Sequence, residues 1–194
     1  MAEGNITMGH KRFPERLAFM LNNPLRRRLS PPENLISKLE IGPEDVMVDF
    51  GCGPGYFTVP LARIARKTYG VDISSGMLER MAAYAKKKRV DIGLIQSDGT
   101  RIDLPDESVD GILLVHVFHE VESRAKVLGE FLRILRPARR LLIVEKTRGG
   151  RMLRKLGPPI INEDEIIDDI SKAGFAAIRT VPAGNDSIII GKKP

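Results

Sequence analysis

The run Val48-Asp49-Phe50-Gly51-Cys52-Gly53-Pro54-Gly55-Tyr56 is the strongest ligand signal in this sequence. Glycines let a backbone approach a bound molecule closely, and free N–H groups at a helix start favour an electron-rich group. The dinucleotide pattern G-x-G-x-x-G is not met: the third glycine falls after one intervening residue, at Gly55, and Tyr56 stands where the pattern wants glycine. Asp49 argues the same way, because a carboxylate repels a diphosphate and attracts a cationic ligand. Two further acids follow. Asp72, closing Tyr69-Gly70-Val71-Asp72, is placed to accept from both hydroxyls of a ribose. Asp98, in Gln96-Ser97-Asp98-Gly99, is placed to accept from an exocyclic amine such as that of adenine. Each acid alone could be a helix or turn cap. Together, at the carboxyl ends of neighbouring strands, they mark one binding edge.

The pattern predicts the elements that hold them. Val46 to Phe50, Lys67 to Asp72, Ile92 to Gln96, Val109 to Val115 and Arg140 to Glu145 read as buried strands. Helices are predicted at Tyr56 to Arg66, Ser75 to Lys88, Glu122 to Leu135 (stopped by Pro137) and Glu163 to Ala173 (ended by Gly174). A further helix should start at Ser30-Pro31-Pro32-Glu33 with Ser30 as N-cap, burying Leu35, Ile36 and Leu39. Residues 147–161 read as a Gly-, Pro- and Arg-rich loop. Phe175 to Val181 and Ser187 to Ile190, joined by a short turn at Ala183-Gly184-Asn185-Asp186, can pair only as an antiparallel hairpin. The expectation is an α/β chain with a mostly parallel sheet covered on both faces. Residues 1–32 form a basic helical arm or lid and 33–194 the ligand-binding domain.

On these motifs, from about residue 33 to 194, the sequence resembles the class I S-adenosylmethionine-dependent methyltransferases, in the group similar to ubiquinone and menaquinone biosynthesis enzymes. Asp49, Gly51, Gly53 and Gly55 match D-x-G-x-G-x-G, and Asp72 and Asp98 match the acids after strands two and three. The resemblance implies a Rossmann-like three-layer sandwich with seven strands, the last antiparallel, and S-adenosylmethionine as cofactor. It implies that Asp49 and the loop (Phe50, Gly51, Cys52, Gly53, Gly55, Tyr56) hold the methionine part and that Asp72 holds the ribose. Ile73 and Met77 would cover the adenine face; Ser97, Asp98 and the Gly99 amide would meet its edge. His10-Lys11-Arg12-Phe13, Phe118-His119-Glu120 and Gly157-Pro158-Pro159 are similar to a narrower group without a defined substrate.

Oxygen and nitrogen acceptors commonly need a base, expected in Val115-His116-Val117-Phe118-His119-Glu120-Val121. His116 would lie beside the methionine moiety; His119, with Glu120 nearby, is the better base candidate, and each could instead be structural. No metal is expected, since His116, His119 and Cys52 lack a clear fourth ligand. Cys52 is the only cysteine, so an internal disulfide is excluded and a reducing compartment fits. The 42% hydrophobic and 29% charged composition is globular. Every apolar run is interrupted before spanning length, so a soluble cytoplasmic protein is expected.

A small-molecule acceptor is the leading reading, with the protein a monomer or homodimer. The net charge of +6, Arg26-Arg27-Arg28, Lys86-Lys87-Lys88-Arg89 and Arg148, Arg151, Arg154 and Lys155 leave RNA or protein as the alternative. A nicotinamide oxidoreductase is opposed by the glycine spacing, and a non-catalytic cofactor binder stays open.

Overall fold

In the computed structural model, which describes residues 22–148 and 160–194, the branched apolar runs form a seven-stranded sheet. Its strands are β1 (Val46–Phe50), β2 (Lys67–Asp72), β3 (Gly93–Gln96), β4 (Val109–Val115), β5 (Leu135–Lys146), β6 (Ala176–Ala183) and β7 (Asp186–Lys192), in the order β3-β2-β1-β4-β5-β7-β6. The first five pair in parallel. β7 inserts between β5 and β6 and is antiparallel to both. The helices are α1 (Pro24–Leu29), α2 (Glu33–Ile36), α3 (Thr58–Leu61), α4 (Ser75–Lys88), α5 (Arg124–Ile134) and α6 (Glu163–Ala173).

Strand side chains alternate between faces, so continuous apolar runs feed two cores. Val48 and Phe50 of β1, with Ile112 and Leu114 of β4, pack among Phe131 of α5 and Ile166 and Ile170 of α6. Met47 and Leu113 face the other way, onto Ile36, Leu39 and Leu61. Every residue of β1 is buried, as a strand covered on both faces must be. The amino-terminal ends of β1 and β4 are tied by Asp110, which is 5% exposed. Its carboxylate accepts from the Val46 amide at 2.9 Å and from Arg136 at 2.6 Å, which hold it below the usual carboxylate range against the opposing effect of burial.

The terminal hairpin pairs as expected, and several boundaries differ. Ser30 does not cap the first domain helix: α2 starts at Glu33 behind Pro32 without a side-chain cap, and Ile36 and Leu39 are still buried. The helix expected over Tyr56 to Arg66 is regular only at α3 and continues as tighter turns, such as Arg63 N–H to Pro60 O and Ile64 N–H to Leu61 O. α5 begins two residues later than expected, after a 3₁₀ turn at Phe118–Glu120. It ends at Ile134, and β5 starts at once; Pro137 thus lies inside a strand, beside a register shift between Val109 and Gly111, where the proline's missing donor is tolerated. The arm up to residue 21, with His10, Lys11, Arg12 and Phe13, lies outside the described residues, as does Gly157-Pro158-Pro159.

Candidate active site

The carboxyl ends of β1, β2 and β3 adjoin in register, which brings Asp49, Asp72 and Asp98 to one edge of the sheet. After β1 the chain turns through Gly51, Gly53 and Gly55, with φ of 69°, 50° and 83°, a left-handed conformation that favours glycine. A side chain at Gly51 would lie 2.4 Å from Val117. The loop's donors are already engaged. Gly51 and Cys52 donate to Val71 O, Gly55 to Cys52 O, and Gly53 to Asp72 Oδ2 at 2.8 Å. The N–H cradle expected for an electron-rich group is therefore not formed by these four amides, because three of them bond to the end of β2 and that of Gly55 closes the loop on Cys52 O. That is a further reason against a diphosphate.

Asp72 is half-buried and accepts from Gly53 and, through Oδ1, from the Ser74 amide at 2.9 Å. It is thereby both strand end and loop anchor. A carboxylate has room for about four hydrogen bonds, which suits a diol as well. Ile73 beside it is 39% exposed, while Met77 is buried. Ser74 caps α4 by accepting from Met77 N–H at 3.0 Å. Asp98 is exposed, and its Oδ1 accepts from both the amide and the hydroxyl of Thr100. Gly99 N–H donates to Ser97 Oγ at 2.9 Å, and a side chain at Gly99 would meet Phe50 at 2.6 Å.

Asp49 lies deeper than its neighbours, at 3% exposure. Burial pushes its pKa up to about 7, against the opposing hydrogen bond from Thr58 Oγ1 at 2.6 Å and with help from the charge of Asp72. Burial likewise raises the Cys52 thiol, so it is no nucleophile. Thr58 was not anticipated from the sequence; its signal is only that it sits nine residues after Asp49, on the first turn of the following helix.

The two histidines occupy different settings. His119 is 6% exposed and hydrogen-bonds through Nδ1 to Glu145 Oε2 at 3.0 Å, with Glu120 at 3.8 Å from Nε2. Burial disfavours its charged form, but the hydrogen bond and charge of Glu145 outweigh it and raise the pKa. His119 and Glu145 thus form a buried pair, charged when the imidazole is protonated. Because the folded pKa lies above the free value of 6.5, the pair's stabilisation is complete below that pH and lost as pH rises through the folded value. Glu145→Gln is therefore expected to cost about 2 kcal/mol or more at pH 6 and clearly less at pH 8.5, measured by urea unfolding; an equal loss at both would refute the ion pair.

His116 closes β4 with φ of 58°, an uncommon conformation for a residue other than glycine. Its Nε2 lies 3.2 Å from Asp186 Oδ2, at the start of β7. Both line a cavity of about 220 Å³, with Pro31, Leu35, Tyr56 and Phe57 as its apolar wall. Tyr56, which follows the glycine loop in sequence, also lines the cavity, and its hydroxyl donates to Ser30 O.

Among the described residues no group of three or more His, Cys, Asp or Glu is arranged to hold a metal, and no helix is long and apolar enough to cross a membrane. Lys86, Lys87, Lys88 and Arg89 are exposed at the end of α4, where cations complement the helix dipole. Arg148 is exposed; Arg151, Arg154 and Lys155 lie outside the described residues.

Residues 48–143 match the family model for a methyltransferase domain. The demethylmenaquinone methyltransferase of Symbiobacterium thermophilum is 33% identical over 122 residues, covering 58% of this chain and 47% of that protein. The ubiquinone biosynthesis O-methyltransferase of Rickettsia conorii is 30% identical over 114 residues, covering 59% and 37%. The chain thus spans about half or less of the length of the curated relatives it matches. A SAM-dependent methyltransferase from Aquifex aeolicus superposes with a TM-score of 0.83 at 24% identity, over 94% of this chain and 100% of that one. The cyclase SpnF shares the fold with a TM-score of 0.70 at 17% identity, over 83% and 79%, so architecture alone does not name the reaction.

Proposed function

We propose, from the methyltransferase-domain match over residues 48–143 and the fold shared with a SAM-dependent methyltransferase, that this chain is a class I S-adenosylmethionine-dependent methyltransferase acting on a small molecule seated in the cavity between His116 and Tyr56. Its cofactor is S-adenosylmethionine, and the donor set along the sheet edge fits that group. A strand-end carboxylate at Asp72 suits the ribose diol, exposed Ile73 suits a flat base, and Asp98 suits an exocyclic amine. Asp49 and a loop whose amide donors are spent suit a cation rather than a phosphate.

In this reading Asp72 holds the ribose, Ile73 and Met77 bound the adenine face, and Asp98 with Ser97 reads its edge. Gly99 contributes mainly by letting Phe50 pack beneath the loop, since its amide is engaged by Ser97. Phe50, Gly51, Cys52, Gly53, Gly55 and Tyr56 shape the methionine channel over Asp49. When bound, the sulfonium supplies an already activated methyl group, so the chain's task is to align the acceptor and exclude water. Tyr56, Phe57, Pro31 and Leu35 do the excluding.

The observation that carries the small-molecule reading is the cavity itself, lined by Pro31 and Leu35 together with Tyr56, the residue after the glycine loop. The quinone-biosynthesis names of the relatives support it. Incubation with methyl-labelled cofactor, a set of hydroxylated aromatic and quinol acceptors, and total RNA is expected to label a small molecule. Label found only in RNA would overturn the reading.

A further inference from the structure

Resting on the reading above, we infer that His116, oriented by Asp186, is the proton acceptor for a ring hydroxyl, so that the substrate is a phenolic molecule methylated on oxygen. Three independent features converge on His116. It ends the central strand β4 at the ligand edge and holds a left-handed φ of 58°, while its amide still pairs with Val144 O at 2.9 Å; such strain persists where the surroundings impose it. Its Nε2 meets a carboxylate 70 residues away in sequence, contributed by the terminal hairpin. And both residues line the cavity, whose remaining lining combines aromatic and apolar Tyr56, Phe57, Pro31 and Leu35 with polar Ser30, Asn34 and Lys38.

A carboxylate on Nε2 selects the tautomer with the proton there, which leaves the Nδ1 lone pair to accept one. The imidazolium that forms is then balanced by Asp186. Proton transfer of this kind is needed for a neutral hydroxyl, whose oxygen is a poor nucleophile until it loses its proton. In the step, the hydroxyl proton passes to Nδ1 as the oxygen–methyl bond forms; the methyl–sulfur bond breaks with its electron pair left on sulfur, and the imidazolium later returns its proton to water. His119 cannot share this duty, since Glu145 and burial enclose it. Among the described residues the other titratable groups at the cavity are Lys38 and Tyr56, the latter donating to Ser30 O.

The test needs no turnover. 4-Nitrocatechol, a phenol that turns yellow on ionisation, is titrated into the protein saturated with S-adenosylhomocysteine, at a pH where the free phenol is protonated. Wild type is expected to bind it as the yellow anion. His116→Gln is expected to bind it colourless and Asp186→Asn to give at least about tenfold less anion at equal occupancy, while Lys86→Met, at the exposed end of α4, leaves the colour unchanged. Absence of binding, a colourless complex with wild type, or colour retained in His116→Gln each overturns the inference. Failure to bind S-adenosylhomocysteine, read separately by calorimetry, would instead overturn the cofactor reading on which it rests. With an accepted phenolic substrate, methyl on carbon rather than oxygen also overturns it.

Discussion

Asp72→Ala is expected to weaken S-adenosylhomocysteine binding by at least about 100-fold while leaving the fold intact. Two effects add. The carboxylate would no longer accept from the ribose hydroxyls, and hydrogen bonds to a charged group contribute about 1.5–3 kcal/mol each; two of them correspond to about two to four powers of ten in affinity. The same carboxylate also accepts from the Gly53 and Ser74 amides at 2.8 and 2.9 Å, so its removal releases the glycine loop from the end of β2. Asp72→Asn separates the two contributions. One amide oxygen can still accept from Gly53, but its NH₂ group donates where the diol also donates. A loss of about tenfold or more in Asn, larger in Ala, is the expected order by titration calorimetry. Affinity within about threefold of wild type for Ala would remove Asp72 from the site.

The second expected result is a gain rather than a loss. Asp49→Asn should stabilise the protein at pH 8 by as much as about 4 kcal/mol and have little effect near pH 4. The reason is the position of the folded pKa, pushed by burial to about 7 from an ordinary 3.8, in spite of the Thr58 hydroxyl. Between those two values the folded state holds the proton more tightly than the unfolded chain. Stability therefore falls as pH rises through that window and levels off above it. Asparagine imitates the protonated acid, keeps an oxygen for the Thr58 hydroxyl, and has nothing to lose as pH rises. Urea midpoints from pH 4.5 to 8.5 should converge for the two proteins at low pH and separate at high pH. Parallel lines would show that Asp49 ionises in the folded protein as freely as in the unfolded chain. At pH 8, where Asp49 is ionised, the same variant should bind the cationic cofactor more weakly, because that negative charge has gone. Stability and binding then move in opposite directions at one side chain.

Both predictions concern residues that could be found by reading along the chain, and there is a physical reason. Asp49, Asp72 and Asp98 each end a short apolar run, and parallel strands in this topology bring successive run ends to a common edge. Periodicity therefore sufficed to place them together. The glycines were legible for a local reason too, since D-x-G-x-G-x-G specifies backbone angles within a single turn. The antiparallel hairpin followed from the shortness of Gly184-Asn185 between two apolar strands. Helix ends were less legible. Pro137 was read as the stop for α5, but β5 captures the chain at Leu135, and pairing with Val109 is information from another part of the sequence.

Partnerships between distant side chains were not legible. Glu145 meets His119 across 26 positions and Asp186 meets His116 across 70. Nothing local to either histidine distinguishes the buried ion pair from the one lining the cavity. What decides between them is the placement of β5 beside β4 and of β7 beside β5, which delivers one carboxylate beneath the helical turn and the other to the strand end. The same holds for the loop amides. Glycine content announced that the backbone would be accessible, whereas the engagement of its donors by Val71 and Asp72 depended on the register with β2. The sequence by itself determined the alternation of elements, the glycine turn and the row of strand-end acids, because each is encoded within a few consecutive residues. Only the tertiary structure decided which histidine reaches the cavity, how strongly Asp49 resists ionising and which donors remain for a ligand, because burial and strand adjacency are properties of the whole packed sheet.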